Sequence, residues 1–291
     1  MQGLGLGKEV TCYATHLWRC VMTIWLVCIS HTVSSKDQNA LAVTVPNSGS
    51  YTRAISTDNP ATQTFFDQGL RLAWGFYFPE SIASYQEASR HDPSHPMPYW
   101  GIAHAAGPNP NSRYAQMPDD PQGAGLAAIQ SALARIDRAT PMEAELIRAL
   151  HIFYDAERIP DPKARDQAYL AQMRALNAKF PDDPDIAALY AGSFMSIRRW
   201  DYWDKNGEAK GETLAAAQAL EHVINTGDPH PGVYHLHIHL IEASLEPERA
   251  MVSANALEAT LPIGGHVVHM PALIFVRVGQ YQRAIDNNLR S

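Results

Sequence analysis

Histidine is concentrated near the end of the chain, where seven of the 13 histidines fall between His222 and His269. His235 and His239 are four residues apart, a spacing that stacks two side chains on one helix face with their β-carbons about 6 Å apart. His266 and His269 are three apart and also share a face. Neutral imidazole is a common ligand for zinc, copper, nickel and iron. Two such pairs on adjacent helices can complete a shell of four metal ligands.

A carboxylate accompanies the histidines. Glu242 follows His239 by three residues, and it can ligate an ion, orient a ligating ring or act as a general base. The segment contains no H-E-x-x-H motif, so the pattern indicates metal binding without naming a reaction. Met270 beside His269 would favour copper if it turned inward, although packing in the core also explains it. Copper or zinc is the expected cofactor if the cluster binds a metal, and otherwise none.

The histidines can also be explained without a metal. A single histidine on a helix is more often packed or hydrogen-bonded than ligating. The density of the group favours the metal hypothesis, but a cluster of structural histidines remains an alternative.

The elements that must position these side chains are helices that repeat. Ala250 and Ala284 lie 34 residues apart, and so do His235 and His269, each 15 residues before its alanine. A period of 34 is typical of helix-turn-helix units, each of which leaves an apolar face that only its neighbour covers. The two histidine pairs are therefore expected on equivalent helices of successive units.

Helix starts and stops can be read along the rest of the chain. Asn59 or Asp58 can cap the first helix, and Thr140-Pro141-Met142-Glu143 combines a hydroxyl cap, a proline at the first helical position and a glutamate three residues after the cap. Asp161-Pro162 and Asp183-Pro184 begin two more helices. The glycine and prolines of Gly107–Asn111 interrupt a helix and predict a long loop.

Four runs of sequence resemble exported bacterial tetratricopeptide-repeat proteins, from about Asn59 to the end: YWGIAHAAGPNPN, TPMEAELIRAL, HPGVYHLHIHLIEAS and GHVVHMPALIFVRVGQYQRAI. The resemblance implies an all-α fold, a right-handed superhelical solenoid of helix-turn-helix repeats. It also supports export. It implies no reaction, because repeat scaffolds host many functions.

In proteins of this family the first helix of each unit lines a concave groove. Placed on that frame, the groove carries the four histidines of the cluster and Glu242. The same frame adds Trp100 and His104, and the loop after them supplies Asn109, as candidates for ligand contact.

Composition narrows the classes of partner. The chain of 291 residues has a formal charge of -7 and a pI near 6.0, so no basic face is available for nucleic acid. Residues 1–35 read as a signal peptide, with Lys8 and Arg19 before a short apolar run. Because that run is too short to span a bilayer comfortably, no stable membrane span is expected after cleavage, although a retained anchor is the alternative. All three cysteines lie in this segment, which excludes Cys-type zinc sites from the remaining chain.

We expect residues 36–57 to form an extended arm or linker and residues 58–291 to form the repeat domain. Since the sequence stops at Ser291 inside what should be the second helix of the last unit, a longer protein is expected.

Three functions follow from these patterns. The first is a periplasmic or secreted repeat protein that binds a protein, peptide or small molecule in its groove, with a histidine cluster able to hold a transition metal. The second is a metal-dependent enzyme in which the four histidines hold the ion, Glu242 moves protons and the Gly107–Asn111 loop shapes the entrance. The third is an interaction scaffold without metal.

Overall fold

The computed structural model of the protein describes residues 40–107 and 120–291, and its regular elements in these ranges are helical. The only β-type pairing among them is a single bridge between Trp203 and Ala209. The expected all-α class is confirmed. The predicted signal peptide, Asn109 and most of the Gly107–Asn111 loop lie outside the described residues.

The helices are α1 Pro60–Trp74, α2 Phe78–His91, α3 Pro96–Ala106, α4 Pro121–Leu133, α5 Pro141–Tyr154, α6 Pro162–Lys179, α7 Pro184–Arg198, α8 Thr213–Thr226, α9 Pro231–Ile241, α10 Met251–Thr260, α11 Gly265–His269, α12 Pro271–Arg277 and α13 Tyr281–Arg290.

Helix starts follow the caps read from the sequence. The side chain of Asn59 accepts from the first main-chain N–H groups of α1. At the start of α5 the Thr140 hydroxyl accepts from the main chain of Glu143, whose carboxylate accepts in return from the N–H of Thr140. Asp161 and Asp183 cap α6 and α7 by accepting from the main-chain N–H groups of Lys163 and Ile186. These caps satisfy main-chain donors that would otherwise lack partners, which fixes where each helix begins.

Each helix packs against the next one along the chain, from α1 to α13. In a simple solenoid a unit contacts only its neighbours, but here α1 also contacts α9. Gly232 permits this close approach, since a β-carbon at that position would lie 2.4 Å from the Trp74 ring. The chain therefore brings its first described helix onto the helix that carries His235 and His239.

The segment before α1 is held against the helices, with neither helix nor strand between residues 40 and 57. Arg53 forms ion pairs with Asp183 and Asp185 at 2.9 Å, and the Tyr51 hydroxyl donates to Asp185 at 2.6 Å. Ser56 donates to Glu143 at 2.7 Å. The expected arm is thus anchored by buried carboxylates on α5 and α7.

Among the described residues, no helix is both long and apolar enough to cross a bilayer.

Candidate metal centre

Three histidines meet where α9 and α11 face one another. His235 and His239 lie on α9, and His266 lies on α11. One ring nitrogen from each lies within 4.8 Å of those of the other two. The closest pair, Nε2 of His235 and Nε2 of His266, is separated by 3.0 Å. Nitrogens bound to one tetrahedral zinc ion, with bonds of about 2.0 to 2.1 Å, lie about 3.3 Å apart. The closest pair is therefore near ligand spacing, and any pair farther apart than about 4.2 Å, the span of two such bonds, must approach to bind one ion.

The hydrogen bonding of His235 fixes which ring nitrogen faces the cluster. Its Nδ1 lies 2.9 Å from the main-chain carbonyl oxygen of Trp74. A carbonyl oxygen only accepts, so Nδ1 carries the hydrogen and Nε2 presents its lone pair to His266. A ligating histidine is commonly oriented in this way, by donating its other N–H to a carbonyl. Two Nε2 atoms at 3.0 Å must share a proton or a cation, because two bare lone pairs would repel.

Burial keeps the three rings neutral. His235 and His239 are almost fully buried, and His266 is partly buried. Burial, followed by the proximity of neighbouring histidines that include His269, lowers the pKa of His239 to about 3 and of His266 to about 4. Burial and the two other rings of the trio lower the pKa of His235 well below its usual value. At neutral pH each ring therefore offers a lone pair to a metal ion without first losing a proton.

His239 has a polar atom that the surrounding protein does not satisfy. Its Nε2 is buried without a hydrogen-bond partner, and its Nδ1 lies 3.4 Å from a carboxylate oxygen of Glu242. Leaving a buried polar atom unpaired costs about 1 to 3 kcal/mol. A cation held between the three rings would satisfy this atom.

Two aromatic rings enclose the cluster, and both come from residues with a left-handed backbone. Phe76 has φ 64° and Trp200 has φ 62°. The Phe76 ring lies 4.5 Å from the ring of His235 and stacks at 5.4 Å on that of His266. The Trp200 ring meets His239 at 4.9 Å, close to perpendicular. Because this conformation costs roughly 1 to 3 kcal/mol for a non-glycine residue and tends to occur at functional sites, the packing of these rings deserves a functional explanation.

A pocket of about 540 Å³ opens beside the cluster. His239 is the member of the trio that lines it, and Glu242, at the C-terminal end of α9, lines it too. Burial raises the pKa of Glu242 to about 7, although the nearby charges of His269 and Arg277 oppose the shift. The remaining walls are Trp200, Tyr202, Ala243, His269, Ala272, Leu273, Val276, Arg277 and Asn288.

His269 lies at the wall of this pocket rather than in the trio. Its Nδ1 is 2.5 Å from the side-chain oxygen of Asn288, and its ring centre is 6.4 Å from that of His266. The three-histidine group includes His235, His239 and His266. The structure thus brings together three of the four ligands proposed from the sequence and gives the fourth a different partner.

Trp100 and His104, the two described residues proposed for a ligand groove, lie in the core. Trp100 is 2% exposed and His104 is 9% exposed. Their rings stack in parallel with centres 5.2 Å apart. His104 lines an internal cavity of about 30 Å³, which is close to the space of a single water. The two side chains are therefore core residues and do not line an open groove.

Several residues that shape the site carry no signal in the sequence. Phe76 follows an ordinary helix end, and Trp74 contributes a main-chain oxygen, which any residue type could supply. Asp185 looks like a first-turn carboxylate, but it is buried and accepts from the Trp74 indole and from His230. Trp200 differs from these residues, because it stands close to Tyr202 and Trp203 in a run of large rings that is visible in the sequence.

The chain matches no protein-family model, and comparison with curated proteins gives no significant match. The geometry of the site therefore carries the functional argument.

Proposed function

We propose that the protein binds one transition-metal ion, zinc or copper, through His235, His239 and His266. The observation that supports this most directly is the meeting of three neutral imidazoles with ligand atoms within 4.8 Å of one another. Imidazole nitrogen suits both ions, and no thiolate is needed. The orientation of His235 by the Trp74 carbonyl and the unpaired Nε2 of His239 support the same conclusion.

Three protein ligands leave an ion with at least one further coordination position. Structural zinc sites are closed by four protein ligands, whereas catalytic and ligand-binding sites keep a position for water or substrate. The pocket beside His239 gives that position a route to a small molecule. We therefore propose a site that binds a ligand at the metal, rather than a closed structural site.

The wider setting remains the one proposed from the sequence. We propose an exported protein, periplasmic or secreted, in which helical repeats of the tetratricopeptide type hold the metal site. The support is the 34-residue offset between the histidine units and the signal-like residues 1–35. In this proposal the ligand of the protein is a small molecule in the pocket, with proteins and peptides as alternative partners.

Elemental analysis of purified protein tests the proposal. We expect about one equivalent of metal on the wild-type chain and none on a His235→Ala, His266→Ala double variant. The matched control is His222→Ala, which removes a surface histidine bonded to Asp182 outside the trio. Equal, substoichiometric metal in all three proteins would leave only a scaffold whose histidines pack against each other.

A second candidate is a metal-dependent enzyme with Glu242 as the group that moves protons. The observation that favours it is the position of Glu242, which lines the same pocket as His239 and lies 3.4 Å from that ring. A bound ion lowers the pKa of its water to about 7 or polarises a carbonyl, and a carboxylate nearby can accept the proton. Metal-dependent hydrolysis of a simple ester such as 4-nitrophenyl acetate, abolished in Glu242→Gln with metal content unchanged, is expected. A rate equal to that of chelator-treated protein would rule out ester hydrolysis at this site.

A further inference from the structure

The lining of the pocket beside the candidate metal centre combines two kinds of side chain. The polar ones include Glu242, His269 and Asn288. The apolar ones include Trp200 and Val276, which are 49% and 50% exposed. Small-molecule sites characteristically combine a mostly apolar surface with a few placed polar groups, in volumes of about 300 to 1,000 Å³. The pocket fits that description in size and in composition.

Trp200 is the feature that points to a particular kind of ligand. Its backbone adopts φ 62°, a conformation that a bulky residue takes only when the surroundings impose it. That backbone brings the indole against His239 at an angle of 67° between the ring planes, yet about half of the side chain remains exposed at the pocket. A large ring held at a backbone cost and left half uncovered can gain contact area from a ligand.

Charge limits what else the ligand carries. Arg277 is the guanidinium in the pocket lining, and it donates to the main-chain oxygens of Glu242 and Ser244. Since Arg277 is tied to the end of α9 and Glu242 is itself acidic, the pocket does not favour a molecule with several negative charges. A single acidic oxygen directed at a bound cation is compatible with these walls.

We infer that the pocket binds a small molecule that joins one metal-directed oxygen donor to a flat apolar group, and that the flat group packs on Trp200. This inference rests on the proposed metal site and goes further by assigning the class of ligand. The oxygen donor occupies the position left open by the three histidines. The apolar group packs on Trp200 and on the other apolar side chains of the lining, which include Leu273 and Val276 of α12.

Two hydroxamates separate the contributions of the metal and of the apolar wall. Acetohydroxamate and benzohydroxamate have the same metal-binding head and differ in a methyl or a phenyl group. On zinc-loaded wild-type protein, benzohydroxamate is expected to bind about tenfold tighter in isothermal titration calorimetry, because burying the larger apolar group is favourable. In Trp200→Gly, whose backbone suits the positive φ, the preference for benzohydroxamate over acetohydroxamate is expected to fall below about threefold.

A second variant and a control test whether the preference for the phenyl group comes from the apolar lining of the pocket. Val276→Ser changes an exposed apolar side chain of α12 in the same pocket lining and is expected to reduce the same preference. Val252→Ala changes an exposed apolar side chain of α10 outside the pocket lining and is expected to leave the preference intact. Metal content measured in each protein shows that the site has formed.

The outcomes distinguish this inference from the proposed function. Equal affinity of the two hydroxamates for zinc-loaded wild-type protein, or an undiminished preference in both Trp200→Gly and Val276→Ser, would overturn the assignment of the ligand class and leave metal binding standing. A wild-type chain that takes up no metal would instead remove the proposed function, and the inference with it.

Discussion

The Nδ1 of His235 donates to the main-chain oxygen of Trp74 at 2.9 Å, joining residues 161 positions apart in the sequence. Trp74 is the last residue of α1, and His235 lies on α9. The orientation of a proposed metal ligand is therefore set by the end of a distant helix.

Asp185 also joins the end of α1 to the start of α9. This buried carboxylate of α7 accepts from the indole N–H of Trp74 at 3.1 Å and from Nε2 of His230 at 2.9 Å. His230 caps α9, with its Nδ1 accepting from the N–H of Val233 at 3.0 Å, so its hydrogen lies on Nε2. Asp185 thus links the end of α1 to the start of α9, the two elements joined again by the bond of His235 to Trp74.

Asp185→Asn is predicted to weaken metal binding as well as stability. The substitution keeps the shape but removes the charge that Arg53 and Tyr51 also use, so we expect a loss of about 2 to 4 kcal/mol in the free energy of unfolding. Weaker bonds between Asp185, Trp74 and His230 would leave the His235 ring less firmly oriented. The affinity for the metal should then fall about tenfold or more, as it does when other partners of metal ligands are removed. Denaturant unfolding in chelator and competition titration with a chromophoric chelator measure the two effects.

Glu143→Gln is the matched control for Asp185. Glu143 is another buried carboxylate that anchors the same arm, through Ser56, and it caps α5. It makes no bond to Trp74 or His230 among the described contacts. This variant is expected to lose stability while keeping wild-type metal affinity. Unchanged affinity in both variants would show that Asp185 supports the fold without positioning the ligand.

Phe76 offers a way to separate backbone strain from side-chain packing. At φ 64° a glycine is better accommodated than any residue with a β-carbon. We therefore predict that Phe76→Gly is more stable than Phe76→Ala by about 1 kcal/mol, the reverse of the order usual within helices. Both variants remove the ring from His235 and His266 and should weaken metal binding similarly. Thermal unfolding with and without metal measures this, and an alanine variant more stable than the glycine variant would contradict the strained backbone.

Asp67 predicts a dependence of stability on pH away from the metal site. Burial raises its pKa to about 6, even though bonds from the N–H of Arg53 and from Gln63 favour the ionised form. Between about pH 4 and 6 the folded protein therefore binds a proton that the unfolded chain has released, so the contribution of Asp67 to stability is lost as pH rises through that window.

Asp67→Asn should remove this part of the pH dependence. Both partners bond to Oδ1 of Asp67, and an amide oxygen accepts in the same geometry. We expect the variant to be about 1 to 2 kcal/mol more stable than wild type at pH 7 and closer to it at pH 4. Urea unfolding at a series of pH values provides the measurement. A variant that loses stability at pH 7 would show that the ionised carboxylate is favourable in the fold.

The sequence was informative where local chemistry decides the structure. The caps at Asn59 and Thr140 and the all-α class depend on nearby residues and are confirmed. The hydrogen bond between His235 and Trp74 depends on the packing of α1 against α9, which no local sequence pattern encodes. For the same reason the repeat frame could not show that Trp100 and His104 would be buried. The positive φ of Phe76 arises from tertiary packing and likewise has no local signal.

His269 decides between three and four histidine ligands. Its bond to Asn288 turns it away from the trio, so His269→Ala is predicted to keep one equivalent of metal with affinity within about threefold of wild type. His266→Ala should weaken binding by about 100-fold, because it removes a ligand from α11. Asn288→Ala serves as the companion variant, since it frees His269 without changing the trio. Chelator competition at pH 7 ranks all three proteins. If His269→Ala lost metal as completely as His266→Ala, the ring would have to leave Asn288 when the ion binds, and the four-ligand shell proposed from the spacing alone would be correct.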